Sequence, residues 1–544
     1  MTENNQHPEG RDTLLPLLLL ALVLGVVVFV RIRLLQTPLE RDEGEYAYMG
    51  QLLLRGIPPY VNAYTMKLPG VSAAYAVFMV LFGQSAAGIR VGLLLVNGAC
   101  IFLIYLVARR LFDRNAALFS CACFAVLSLS QSVYGVFAHA THFVVLFALA
   151  GAYLLRRALE TDRGAALFAS GLCFGLAFTM KQHAALFIVF AFLYLTWRLA
   201  RPPNRGSGPK PVVAPVTLLL TGTLIPYALI LLYYARSGRL GLFWFWTVQY
   251  ARQYASGQSL AQGLADLVDA CGHLFATQPS LWLLAGVGAL LLGTGRGRCA
   301  DRPFLLGFCL FSLLAVCPGL YFRRHYFVML LPAAALCAGA AVCSAGELLR
   351  APGWGKYRHQ LPLLLCAGSV AFGLCHERNY FYLRTQQEVS RSLYGTNPFQ
   401  EALQVARYLK GHTAPGDRVA VLGSEPEIYF YADRLSATGH LYMYGLMENQ
   451  PYAERMQEEM IREIEASRPG YLVLASVDTS WLRQPSSPRL LSQWQERYLR
   501  EFYQPVGIAD IPASGATVYL WDDKAAGYLP RSDSSLTVYR RKDR

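Results

Sequence analysis

The chain is expected to be a polytopic α-helical membrane protein with about eleven transmembrane helices and a C-terminal soluble α/β domain. Three observations lead there. The 544 residues are 54% hydrophobic and only 15% charged, too apolar and too long for one soluble core. Apolar stretches of roughly 18 residues or more, each enough to cross a bilayer's hydrocarbon layer, recur as far as residue 376. Beyond about residue 395 the composition changes abruptly, to short apolar runs alternating with charged amphipathic ones.

The candidate spans lie near 13–34, 88–108, 115–133, 142–159, 165–180, 183–200, 212–234, 279–294, 303–320, 326–346 and 361–376. The first reads as a retained anchor rather than a cleavable signal. Its apolar run is long, the tail before it is polar rather than basic, and no small-residue cleavage site follows. The fifth and sixth are separated only by Lys181-Gln182, which suits a tight re-entrant pair.

Every second loop is basic. The series runs through Arg109, Arg110 and Arg114, then Arg156, Arg157 and Arg163, then Arg198, Arg201, Arg205 and Lys210. It continues with Arg296, Arg298 and Arg302, then Arg350, Lys356 and Arg358. Positive charge favours the cytoplasmic side, so these loops and the N-terminus are placed inside, and an odd helix count puts everything after residue 377 outside. The same loops account for much of the net charge of +14, and no compact nucleic-acid-binding module is indicated. All twelve cysteines fall at or before Cys375, mostly within apolar helices. There they act as small hydrophobes, and a disulfide framework is excluded for the tail.

Four parts follow. Residues 1–35 are a cytoplasmic tail and first helix. Residues 36–87 are a first outward, periplasmic loop, whose stretch 71–83 is expected to lie on the membrane as an interfacial helix held by Tyr75 and Phe78. Residues 88–376 hold the remaining helices, with a second outward loop at 236–278 containing Phe243-Trp244-Phe245-Trp246, an aromatic-belt pattern. Residues 395–544 form the α/β domain. Strands are expected at 419–422, 471–474, 506–511 and 516–521, and helices at 425–431 and 452–467. Their alternation favours a mixed sheet with parallel pairs.

Charge beside a membrane is costly and points to function. Residues 41–45 read Arg-Asp-Glu-Gly-Glu, three carboxylates in five positions just past the first apolar run. Asp42 and Glu43 are adjacent and point different ways, so one of them faces a site. Glu45, three residues after Asp42, would share a helical face with it. The simpler account is a cap for a helix Glu45–Leu54; the chemical one is a general base at low dielectric. Lys67, within Tyr64-Thr65-Met66-Lys67-Leu68-Pro69-Gly70, either snorkels to headgroups or meets a phosphate as a point charge.

Arg323-Arg324-His325-Tyr326 sits at an outward helix end, against the positive-inside bias. Arg is suited to bidentate phosphate binding; a headgroup contact is the alternative. Lys181 needs a carboxylate or phosphate partner if it is not a surface turn. His139 and His142 open the fourth helix, where a structural or rim role outweighs metal ligation. Gly423-Ser424-Glu425-Pro426 is a strand-to-helix turn, assigned to structure rather than anion binding.

Asp42-Glu43 after the first helix, Lys67 before a proline turn, Lys181 between two helices, and Arg324-His325-Tyr326 opening a late helix resemble the GT-C membrane glycosyltransferases. The similarity is to protein O-mannosyltransferases and lipid A aminoarabinose transferases, over residues 12–345. It implies a GT-C-like fold, Asp42 as catalytic base with Glu43 beside it, and Lys67, Arg324 and Lys181 on the phosphate of a polyprenyl-phosphate sugar. Glu45, Tyr64, His142, His325 and Tyr326 are candidate substrate contacts.

Two positions depart from the family pattern. Met66 stands where the aminoarabinose transferases have an acidic residue, and His142 where an acidic residue often opens the fourth helix. No metal ligand set is convincing, so participation of a divalent metal is left open, and no other cofactor is expected. The tail is not the β-trefoil of eukaryotic mannosyltransferases.

The expected activity is inverting transfer of a hexosyl or pentosyl group to a lipid, glycan or protein acceptor hydroxyl on the outer face of a bacterial inner membrane. The competing class is a transporter or flippase of anionic lipid-linked sugars. Transporters usually show internal repeats and helices broken at the midplane, and neither pattern is present in the sequence.

Overall fold

The computed structural model describes residues 14–201, 211–348 and 357–542. Of the basic-loop residues, Arg205, Lys210, Arg350 and Lys356 lie outside them, as does the tail before Leu14. The chain divides into two compact units. One comprises Met1–Leu34, Leu93–Arg236 and Gly257–Leu383, the other Leu35–Gly92, Ser237–Ser256 and Arg384–Arg544.

The first unit is helical. Helices run through all eleven expected apolar stretches, among them Leu14–Arg33, Ala140–Thr161, Gly164–Met180, Val213–Arg236 and Leu331–Leu348. Among the described residues six helices are long and apolar enough to cross a membrane, or up to seven if a bent pair counts as one span. Five more apolar helices are shorter, at 10–17 residues, so length and composition do not confirm a count of eleven crossings.

The bent pair is Leu260–Thr277 with Pro279–Gly293, turned by 112°. The first of these helices falls within the stretch expected to be loop. Gln278 at the break donates to Gly373 O at 3.3 Å and to the Glu377 carboxylate, which also accepts from Gln131 N at 2.9 Å. Helices Gly164–Met180 and Val213–Arg236 approach through Gly171 and Gly222, where a Cβ would strike the partner's backbone. Such small-residue seams let membrane helices pack closely.

The second unit carries a six-stranded sheet: β1 Arg418–Leu422, β2 Leu435–Ser436, β3 Tyr471–Ser476, β4 Tyr503–Ile511, β5 Val518–Trp521 and β6 Ser534–Arg541. The strand order is β2-β1-β3-β6-β4-β5. β1 pairs parallel with β2 and β3, and the other pairings are antiparallel. The mixed sheet agrees with expectation. Its central strand β6 was not anticipated, because Ser534–Arg541 mixes buried Leu536 and Val538 with polar and basic residues. Cross-strand partners on both sides decide its place.

Two further expectations are corrected in this unit. Tyr75, on the helix Gly70–Phe82, does not hold that helix to a membrane surface; it is fully buried against Tyr46, with ring centroids 5.6 Å apart. Val77, Val80, Leu81 and Phe82 are the exposed large apolar residues of that helix. The aromatic run at 243–246 is not a belt. Phe243 packs edge-on to Tyr60 at 5.5 Å, Trp246 stacks on Tyr64 at 5.2 Å, and Phe245 meets Tyr452 at 5.1 Å, leaving Trp244 exposed. Buried Tyr60 and the part-buried Tyr64 and Tyr452 offered these rings more contact than an interface would.

Candidate active site

The acidic cluster begins a helix. Glu40 is the N-cap of Arg41–Leu54: its side chain accepts from Glu43 N at 2.8 Å, and the Glu43 carboxylate accepts from Glu40 N at 3.4 Å. This reciprocal capping box starts the helix four residues before the expected Glu45. Asp42 and Glu45 therefore lie three apart on one face, while Glu43 is turned about 100° away from Asp42.

That rotation separates the two candidate catalytic carboxylates. Glu43 is buried and paired with Arg90 Nη2 at 2.6 Å. Arg90 also donates to the carbonyls of Leu35, Thr37 and Pro38, closing the loop that leads into the helix. The structure thus places Glu43 in a buried ion pair and a helix cap.

Asp42 and Glu45 converge on Lys67. Its Nζ lies 2.6 Å from Asp42 Oδ1 and also donates to Glu45 Oε2. The ammonium sits 4.5 Å from the Tyr46 ring centroid and 5.2 Å from that of Tyr442, an arrangement in which ring quadrupoles favour a cation. Tyr60 Oη donates to Lys67 O at 2.7 Å, and Lys67 N donates to Thr65 Oγ1 at 3.2 Å, so the backbone before Pro69 is held as well. Tyr442 Oη donates to Asp42 Oδ1 at 3.0 Å.

Burial works against the Lys67 charge, but the Asp42 and Glu45 carboxylates outweigh it and hold the amine well above its usual range. Burial pushes the Glu45 carboxyl up, and Lys67 pulls it only part of the way back. The outcome is a charged ammonium gripped by carboxylates in a largely dry site. The cation that Asp42 and Glu45 hold is Lys67.

Arg41, not singled out from sequence, is buried beside this cluster. It meets Glu425 Oε1 at 2.7 Å, Tyr444 Oη at 2.7 Å and Asn397 Oδ1 at 3.1 Å. The Gly423–Pro426 turn therefore serves a cation of the chain itself, in keeping with its assignment to structure. Tyr64 is engaged too: its Oη donates to Glu463 Oε1 at 2.7 Å, its N–H to Gly439 O at 2.6 Å, and its ring lies edge-on to His440.

The remaining candidates belong to the helical unit. Arg324 opens a short 3-10 turn, with its guanidinium carbon 5.7 Å from the Tyr134 ring centroid. His325 stacks on His139 at 4.2 Å, and Lys181 Nζ lies 4.2 Å from the ring centroid of Tyr326. His183 also meets Tyr326 edge-on at 4.8 Å. His142 is buried in the first turn of its helix. Lys181, His325 and Tyr326 thus share one aromatic neighbourhood.

Tyr442 is a further residue that sequence reading missed. It stands 400 positions from Asp42, in a Leu-Tyr-Met-Tyr run whose only signal is a pair of tyrosines among apolar residues.

A family model described as dolichyl-phosphate-mannose-protein mannosyltransferase matches residues 66–227, a stretch that includes Lys67, His142 and Lys181. Among solved structures, ArnT from Cupriavidus metallidurans bound to undecaprenyl phosphate superposes with a TM-score of 0.58 at 15% identity, over 96% of this chain and 97% of that one. The chain has the GT-C fold. The same GT-C architecture aligns with the archaeal oligosaccharyltransferase AglB from Archaeoglobus fulgidus, in complex with an inhibitory peptide and a dolichol-phosphate. That match has a TM-score of 0.53 at 12% identity, over 95% of this chain and 75% of that one. No curated protein sequence matches the chain. With six or seven helices among the described residues long and apolar enough to span a bilayer, the chain is a multi-pass membrane protein.

Proposed function

We propose that this protein is an inverting glycosyltransferase that moves a sugar from a polyprenyl-phosphate donor to a lipid, glycan or protein hydroxyl on the outer face of a bacterial inner membrane. The observation that carries the reading is the Asp42–Lys67–Glu45 cluster: a base and a phosphate-binding cation held in contact by two segments of one loop. The match to a dolichyl-phosphate-mannose-dependent family model supports the donor class. So does the similarity to structures solved with undecaprenyl phosphate and dolichol-phosphate.

In this reading the acceptor oxygen bonds to the anomeric carbon while its proton passes to Asp42. The bond from that carbon to the phosphate oxygen breaks, and its electron pair leaves on the lipid phosphate. Lys67, charged because two carboxylates favour its ammonium, moves onto the departing phosphate and frees Asp42 to act as a base. Glu45 keeps Lys67 protonated between turnovers, and Glu43 supports the helix start. Family resemblance assigns Arg324 to a donor phosphate; Lys181 is a further candidate phosphate contact, and Tyr64, His142, His325 and Tyr326 are candidate substrate contacts. The basic loops and the N-terminus are assigned to the cytoplasm, with the C-terminal domain outside.

The test uses purified wild type and Asp42→Asn with a panel of polyprenyl-phosphate sugars, following release of free polyprenyl phosphate with membrane extract as acceptor source. Loss of a base should cost on the order of 10²–10⁴ in rate. A loss below roughly tenfold would overturn the assignment of Asp42. No release from any donor by folded wild type would favour a transporter of lipid-linked sugars instead.

A further inference from the structure

We infer that Tyr442, from the C-terminal domain, is a positioning residue for Asp42, so that the segment Gly439–Tyr444 completes the transfer site. The inference rests on the reading of Asp42 as the base. Tyr442 Oη donates to Asp42 Oδ1 at 3.0 Å, on the oxygen that also receives Lys67 Nζ at 2.6 Å. The Tyr442 ring is at the same time one of two aromatic faces turned toward the ammonium. One side chain therefore touches both members of the proposed base–cation pair.

The segment is fastened on either side of it. Gly439 O accepts from Tyr64 N at 2.6 Å, and His440 Nε2 meets Glu459 Oε2 at 3.2 Å. Met443 N donates to Ser424 Oγ at 2.8 Å, and Tyr444 Oη accepts from Arg41 Nη1 at 2.7 Å. Arg41 immediately precedes Asp42, so two adjacent residues of the helix start are tied to Tyr444 and Tyr442 of the Gly439–Tyr444 segment. A phenol held this way stops the Asp42 carboxylate from rotating, and orientation of a reacting group is worth several powers of ten. It also stabilises the charged carboxylate, because a hydrogen bond donated to an anion favours the ionised form. Burial, reinforced by the Asp42 charge, pushes the phenol itself well up, so it stays a donor.

The experiment compares the full-length wild type, Tyr442→Phe, Asp42→Asn and the double variant in detergent, measuring donor-dependent release of polyprenyl phosphate against pH, with melting midpoints as a check on folding. Tyr442→Phe keeps the ring and loses only the hydroxyl. Its kcat is expected to fall about ten- to a hundredfold, the worth of a hydrogen bond to a charged group, with KM for the donor within about twofold of wild type. Its acid limb should move to higher pH, since the carboxylate loses a donor that favoured its charged form. In the double variant the Tyr442 change should add no further loss.

An unchanged kcat and pH profile in Tyr442→Phe, with Asp42→Asn inactive, would overturn the inference while leaving the base in place. A fall in kcat with an unmoved acid limb, or with losses that simply add in the double variant, would also overturn it. Full activity of Asp42→Asn would remove the base reading and this inference together.

Discussion

At the scale of single residues, Lys67 illustrates how the site balances burial against charge. Its ammonium touches two carboxylates and two aromatic rings, so removing it strands Asp42 and Glu45 beside each other. Lys67→Met is expected to lower the rate by at least about a hundredfold and to reduce the melting midpoint, because an uncompensated buried carboxylate is strongly destabilising. Lys67→Arg restores the charge but not a compact ammonium between two oxygens, and should recover the midpoint better than the rate. Paired melting and release assays on both variants test this.

Glu427 offers a second residue-scale test. Burial, and then the neighbouring Glu425 carboxylate, hold its carboxyl well above the usual range. The folded chain therefore keeps a proton there that the unfolded chain has lost above about pH 4.5. More protons bound in the folded state means that stability falls as pH rises from that point through the folded value. Glu427→Gln should flatten this slope, which melting midpoints from about pH 4 to about pH 8 would show.

At the scale of elements, the helix Arg41–Leu54 has to lie directly on the helix Glu427–Ala432. A Cβ added at Gly44 would fall 2.7 Å from both the Cβ and the backbone nitrogen of Glu427, and backbone cannot step aside as a flexible side chain can. Gly44→Ala is expected to cost about 1–3 kcal/mol through overpacking, and to slow the reaction because Asp42 lies two residues away on the same helix. Thermal unfolding and release assays of that variant check both effects. The helix boundary itself was misplaced from sequence for a local reason. Glu is not a favoured N-cap, so Glu40 gave little warning that it would pair reciprocally with Glu43. Asp42–Glu45 as a shared face was legible because helical spacing alone creates it. The Glu43–Arg90 pair was not, because it depends on how the loop from Leu35 to Pro38 folds back.

At the scale of the whole molecule, the assigned orientation is testable through the cysteines. The sequence has none after Cys375, so an exposed Ser486→Cys introduced into a Cys375→Ser background marks the C-terminal domain. A membrane-impermeant maleimide should label it in intact spheroplasts. Labelling only after permeabilisation would reverse the assignment. The apolar segments, the abrupt change near residue 395, the mixed sheet and the pairing of Asp42 with Lys67 as site candidates were readable because composition, periodicity and charge near a membrane are local properties of the chain. Tyr442 beside Asp42, Arg41 in the grip of Glu425, and Trp246 stacked on Tyr64 were not. Each joins residues far apart in sequence, and their partners are chosen by burial and by the need to satisfy buried charge, which act only once the chain has folded.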